Sequence, residues 1–98
     1  MKINKEYISG ILDATYEMYE IENGRIEADK DLRFTLIEKS NYIEVKFTCK
    51  IALSSKWNID NTYHENSINI YEGDTVSGFI SDIQSELAEI HSKTINYL

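Results

Sequence analysis

Residues 42–53, YIEVKFTCKIAL, alternate strictly between apolar and polar side chains. Such alternation is typical of an antiparallel strand that buries one face and leaves the other in solvent. The predicted inner face carries Ile43, Val45, Phe47, Cys49, Ile51 and Leu53, and the outer face carries Tyr42, Glu44, Lys46, Thr48 and Lys50. The pattern therefore predicts a sheet with one apolar face that other elements cover.

The segments that flank this strand predict two shorter partners. Residues 32–38 form a second extended run that leads into a turn at residues 39–41, so the two strands are expected to make a hairpin. On the other side, residues 67–71 are a short alternating run. Residues 54–66 are polar and lack any periodicity, which predicts a long loop.

A helix is predicted over residues 4–22. Asn4 is a suitable N-cap, and Asn23-Gly24 offers a left-handed stop. The apolar positions at helical spacing are Ile8, Ile11, Leu12, Thr15, Tyr16 and Tyr19. Asn-Gly is also a strong hairpin signal, so an alternative interpretation makes residues 16–28 a pair of short strands.

A second helix follows the last strand, with Asp74 or Thr75 as its cap. Its apolar stripe consists of Val76, Phe79, Ile80, Ile83, Leu87 and Ile90. The acidic side chains predicted to lie outside that stripe are Asp82, Glu86 and Glu89. A truncation of Phe79, at the centre of the stripe, is expected to be severe.

These elements predict one α+β domain over residues 1–98, in the order α-β-β-β-α. The sheet is expected to be antiparallel and three- or four-stranded, with the optional fourth strand near residues 25–28. The two helices are expected to cover its apolar face. The other face is left for solvent or a partner.

Composition restricts the compartment and the kind of partner. Cys49 is the only cysteine, so an intramolecular disulfide is excluded, and its inward position predicts a buried, unreactive thiol. The N-terminal residues lack the apolar core of a signal peptide, and no stretch has the length of a membrane span, which predicts a cytoplasmic protein without membrane partners. The net charge of −7 disfavours direct binding of nucleic acid.

No arrangement of residues matches a known catalytic or cofactor motif. His91 lies in the last turn of the second helix, where its partial positive charge suits the helix dipole. His64 lies in the predicted polar loop, where a solvated side chain is expected. Zinc sites, calcium loops and phosphate-binding loops all require spacings that this chain lacks. A non-enzymatic protein without cofactors or metals is predicted, and an unusual site at Asp60, His64 and Glu65 is the least favoured alternative.

The predicted loop at residues 54–66 is the strongest candidate for partner binding. It carries two large aromatic side chains, Trp57 and Tyr63, and two acids, Asp60 and Glu65. Aromatic side chains anchor interfaces, and charges accelerate encounter with an oppositely charged partner. Small size, acidity and abundant residues with A/T-rich codons favour a stoichiometric inhibitor of a larger bacterial protein, of a phage anti-defence, anti-CRISPR-like or immunity type. The alternative is a homodimeric structural or regulatory accessory domain.

Overall fold

The computed structural model describes the backbone of residues 3–26, 31–54 and 59–95, and the side chains of residues 3–26, 31–50 and 63–93. It confirms the predicted α+β fold, with three antiparallel strands in the spatial order β1-β2-β3. The elements are α1 (Lys5–Asn23), β1 (Leu32–Glu38), β2 (Tyr42–Ser54), β3 (Ile59–Tyr71) and α2 (Val76–Ile95).

The central strand, β2, organises the sheet as its alternation predicts. Ile43, Val45, Phe47 and Cys49 are all buried, which confirms the predicted inner face over the described side chains. Opposite Phe47 on β1 lies Phe34, and the two rings pack edge to face with their centroids 5.3 Å apart. Cross-strand aromatic pairs of this kind stabilise the sheet. They also favour this register, because a slip by one residue would separate the rings and turn the apolar side chains of the strand towards solvent.

Strand β3 is much longer than its sequence pattern predicts. It spans 13 residues and pairs with β2 along the whole length of that strand. The prediction of a polar loop is therefore wrong for residue 54 and residues 59–66, whereas residues 55–58 lie outside the described residues. The reason is backbone pairing: the peptide groups of β2 that point away from β1 need partners along the whole strand, and β3 supplies them.

Helix α1 begins and ends as predicted. Asn4 Oδ1 accepts a hydrogen bond of 2.8 Å from the backbone N–H of Tyr7, and Gly24, at φ +89°, donates its N–H to the carbonyl of Glu20. The alternative hairpin over residues 16–28 is wrong, because the positive φ of Gly24 ends a helix here instead of making a two-residue turn. The optional fourth strand is not present at residues 25–26, and residues 27–28 lie outside the described ones.

Both helices pack on the inner face of the sheet and against each other. Helix α2 begins after Thr75, whose Oγ1 accepts a hydrogen bond from the N–H of Gly78, so Thr75 is the cap. Its stripe residues Phe79, Ile83, Leu87 and Ile90 are buried, as predicted. They share one core with Ile8 and Leu12 of α1 and with the inner residues of β2. The outer face of the sheet is covered by neither helix.

Two helical glycines give a matched test of this packing. A Cβ added at Gly10 would meet no atom within 4 Å, whereas one at Gly78 would lie 3.0 Å from the capping Thr75 Oγ1. Gly10→Ala is therefore expected to raise the free energy of unfolding by about 0.5–1 kcal/mol. Gly78→Ala is expected to lose that gain because it disturbs the cap. Denaturant unfolding checks both, and equal stabilisation by the two variants would contradict the close contact at Gly78.

Candidate functional site

The outer face of β2 and β3 is a sheet surface that neither helix covers. Register places Lys50 opposite Tyr63, and Lys46 opposite Ser67. Tyr63 is the most exposed large side chain on this face, at 74%. Lys46 Nζ lies 3.4 Å from Glu65 Oε1, and both side chains are substantially exposed. Such a pair contributes little to stability, so a partner can separate it at small cost.

The far end of the same face carries a second aromatic feature. Tyr42 and Tyr71 lie opposite each other with ring centroids 5.1 Å apart. Between this pair and Tyr63, Ser67 Oγ donates a hydrogen bond of 2.7 Å to Glu44 Oε2. The face is thus an amphipathic strip with polar groups at its centre and, at both ends, tyrosine rings of the kind enriched in protein interfaces.

The structure brings together two of the four predicted binding residues. Tyr63 and Glu65 are two positions apart on β3, so their side chains project from the same outer face. Asp60 also belongs to β3, but its side chain is not among those described, and Trp57 lies outside the described residues. The proposed enzymatic grouping of His64 with Glu65 is not formed, because neighbouring residues of a strand point to opposite faces.

His64 forms part of a buried polar cluster instead of lying in solvent, so that prediction is wrong. Its Nε2 lies 2.5 Å from Glu86 Oε1, and its Nδ1 lies 2.8 Å from Lys93 Nζ. Asn66 Nδ2 donates to the other carboxylate oxygen of Glu86 at 2.8 Å. His64 and Glu86 are both buried, so the predicted exposure of Glu86 on the outer side of α2 is also wrong.

The hydrogen bonds fix how the His64 ring shares its protons. The Lys93 ammonium can only donate, so Nδ1 of His64 accepts and Nε2–H donates to Glu86. Both ring nitrogens and both Glu86 oxygens are therefore occupied. Among the described residues, every buried side-chain nitrogen or oxygen has a hydrogen-bond partner. The cluster compensates for burying charge between α2 and β3.

The same cluster contains a geometric candidate for metal binding. Ligand atoms of His64, Glu86 and Glu89 lie within 4.8 Å of one another. However, Lys93 Nζ already lies 2.8 Å from His64 Nδ1 and 3.7 Å from Glu89 Oε1. The ammonium supplies the positive charge that a cation would bring, and a metal ion would have to displace it. We therefore assign the cluster as an ion-pair network.

Two sequence signals could have located this cluster. Glu86 is three residues after Ile83 and four before Ile90, so it belongs to the apolar stripe by helical spacing. His64 shares strand parity with Ile68 and Ile70, both directed inward. This parity can be assigned only if residues 59–66 are recognised as part of β3, and these residues show no apolar alternation of their own.

His91 has a tertiary contact beyond the helix-end role predicted for it. Its Nδ1 lies 3.2 Å from the hydroxyl of Tyr19, and the two rings pack edge to face. Burial raises the pKa of Tyr19 above its ordinary value. The contact joins the C-terminal part of α1 to that of α2.

Cys49 lies opposite His64 in the register and is fully buried, which confirms the prediction. Burial, and secondarily the negative charge of Asp31, raises the pKa of the thiol. A bulky maleimide is therefore expected to label the folded protein on the order of a hundredfold more slowly than the denatured chain. The folded-state rate should also keep rising with pH beyond the ordinary thiol range of about 8.5, because only the thiolate reacts. Rapid labelling of the native protein would contradict the inward register.

Comparisons with protein-family models, with curated proteins and with solved structures found no match to this chain. Within the part of the chain that the structure describes, neither helix combines the length and apolarity needed to cross a bilayer. What the protein does is therefore inferred from its own surfaces.

Proposed function

We propose that this chain is a non-enzymatic protein-binding domain that docks through the outer face of β2 and β3. The observation that carries the proposal is the 74% exposure of Tyr63 on a sheet face that neither helix covers. A tyrosine offers a large, rigid contact area with a polar tip, and such side chains dominate binding energy at interfaces. Lys50, opposite Tyr63, and Glu65, two residues along, supply charges of both signs for orientation.

Trp57 is proposed to extend this surface, and Asp60 is proposed to add its negative charge to the surrounding field. Trp57 acts as a second apolar anchor, so Trp57→Ala is expected to accelerate dissociation by an amount equivalent to about 2 kcal/mol or more. Asp60 and Glu65 act earlier, by attracting a basic partner. Their neutralisation is expected to lower the association rate and flatten its dependence on salt. The two classes of substitution therefore differ in which rate constant they change.

The proposed role is stoichiometric inhibition of a larger bacterial protein, of the anti-defence, anti-CRISPR-like or immunity kind. Its support is the small size of the chain, its net charge of −7 and the lack of a matching catalytic motif. The charge repels phosphate backbones and attracts basic surfaces, so a basic nucleic-acid-processing protein suits it better than nucleic acid does.

Site-specific photo-crosslinking tests the docking surface. A benzophenone amino acid replaces Tyr63 in one variant and Ile21 in a control, and each protein is irradiated in extracts of bacteria with A/T-rich genomes. Ile21 is a close match because it is 71% exposed but lies on α1. The expected result is a defined adduct from position 63 that is absent from position 21, with the partner identified by mass spectrometry.

Two results would contradict the proposal. Adducts from position 21 alone would place the interface on the helices, and identical adducts from both positions would indicate non-specific capture. Competition with unlabelled parent protein is the control for saturable binding, because a specific adduct must decrease as the competitor increases.

A homodimeric accessory domain is the second candidate, and the edge of β3 favours it. Among the described strands β3 pairs only with β2, and its 13 residues include no lysine, arginine or proline. Edge strands usually carry such residues because they block pairing with another chain. Pairing of two β3 strands would give an adduct of twice the monomer mass from position 63, and a solution mass that does not depend on added extract.

A further inference from the structure

A groove on the opposite side of the molecule separates α1 from β1. It is wide and open to solvent, with a volume of about 690 Å³, and is lined by Lys5, Glu6, Ser9, Gly10 and Asp13 of α1 and by Phe34, Thr35 and Leu36 of β1. Phe34 and Leu36 share the inner side of their strand, whereas Thr35 belongs to the outer side. A groove that reaches all three residues therefore runs around the edge of the sheet.

The edge of β1 supplies backbone groups along this groove. Among the described strands β1 pairs only with β2, so its other edge is open to an additional strand. An extended peptide that adds to a sheet edge obtains affinity from main-chain hydrogen bonds and specificity from alternate side chains. Here the alternate side chains of such a peptide would enter the groove above Phe34 and Leu36, which are half-buried.

At Gly10, the α1 side of the groove carries no side chain. A glycine inside a helix is less favourable than an alanine. No described neighbour requires it, because an added Cβ would meet nothing within 4 Å. A side chain here would instead project into the groove. The missing side chain therefore leaves room for a close approach to the helix backbone from the groove.

The rim charge indicates the chemistry of the occupant. Glu6 and Asp13 line the groove on α1 with a single base, Lys5. The whole chain carries 17 acids and 10 bases, so the surrounding field is also negative. Charge complementarity thus favours a segment with lysine or arginine beside its apolar residues.

We infer that the α1–β1 groove binds an extended, basic segment of a partner protein as a fourth strand beside β1. This inference rests on the proposed function, since it assumes that the chain binds another protein. It names a second contact, however, on the α1–β1 side of the sheet edge, and it is tested without extract or natural partner.

The probe is a displayed library of random peptides of about eight residues, long enough to span β1. The library is selected on the parent protein at low salt. Enriched peptides are expected to be rich in lysine or arginine, to lack a central proline, and to bind Gly10→Leu at least about tenfold more weakly. The leucine side chain obstructs the groove beside α1 and is compatible with the helix, and a thermal melt confirms that the variant is folded.

Charge and backbone readouts complete the test. Asp13→Lys is expected to weaken binding severalfold, whereas Glu22→Lys makes the same charge change on α1 outside the groove and should not. Hydrogen exchange of β1 amides that point away from β2 is expected to slow when peptide is bound. An absence of enriched peptides, or peptides that bind Gly10→Leu as well as the parent, would overturn the inference. Either result leaves the Tyr63 crosslinking outcome unaffected, so the two proposals fail separately.

Discussion

Glu86→Ala is expected to lower the free energy of unfolding by about 1–3 kcal/mol, the cost of leaving a buried hydrogen-bond donor without its acceptor. The carboxylate accepts hydrogen bonds from His64 Nε2 and Asn66 Nδ2. Without it, the Nε2–H of the buried His64 has no acceptor, whereas Asn66 is exposed and can turn to water. Lys93, which still contacts His64 Nδ1, also loses a compensating negative charge. Urea unfolding monitored by circular dichroism measures the difference.

Glu89→Ala is the matched control because it removes the same carboxylate group three residues further along the same helix. Its side chain is 51% exposed and its contact with Lys93 is long, so the expected change is within about 0.5–1 kcal/mol. The double substitution of His64 and Glu86 by leucine should recover most of the lost stability, since apolar groups leave no unpaired donor. Similar stabilities for the two alanine variants would contradict the buried network.

The predictability of this fold varies with the physical origin of each element. The inner face of β2 and the stripe of α2 are set by burial of apolar side chains, so their periodicity in the sequence predicts them directly. The end of α1 at Gly24 follows from a local capping signal. The polar half of β3, from Ile59 to Asn66, has no such signal, because it is held by backbone pairing to a strand that is distant in the chain.

The sequence also predicts only part of the candidate site. Tyr63 and Glu65 were identified by residue type, and the structure adds that they share one outer face and that Glu65 contacts Lys46. His64 was misassigned because a histidine in a polar segment resembles a solvated one until its strand parity is known. Its partners Glu86 and Lys93 lie in a different element, so only tertiary structure shows that the three side chains meet.

Phe79→Ala is expected to lower the free energy of unfolding by about 3–5 kcal/mol through loss of buried apolar contacts and creation of a cavity. Phe79 is among the largest fully enclosed side chains of the core and lies in the first turn of α2. A domain of this size has about 5–15 kcal/mol of stability in total, so the variant would be marginal. The corresponding decrease in melting temperature is about 15 °C or more.

Tyr63→Ala separates this structural effect from a functional one. It removes an aromatic ring of similar size, but from a side chain that is 74% exposed on the outer face of β3. Its effect on stability is expected to stay within about 0.5 kcal/mol, because little buried area is lost. Its effect on partner binding is expected to be large, since the ring anchors the proposed interface. Phe79→Ala should show the opposite profile: partner binding should be retained by whatever fraction remains folded.

A Phe79→Ala protein that melts within a few degrees of the parent would show that α2 does not close the core, and a Tyr63→Ala protein that melts much lower would show that the outer face is structural.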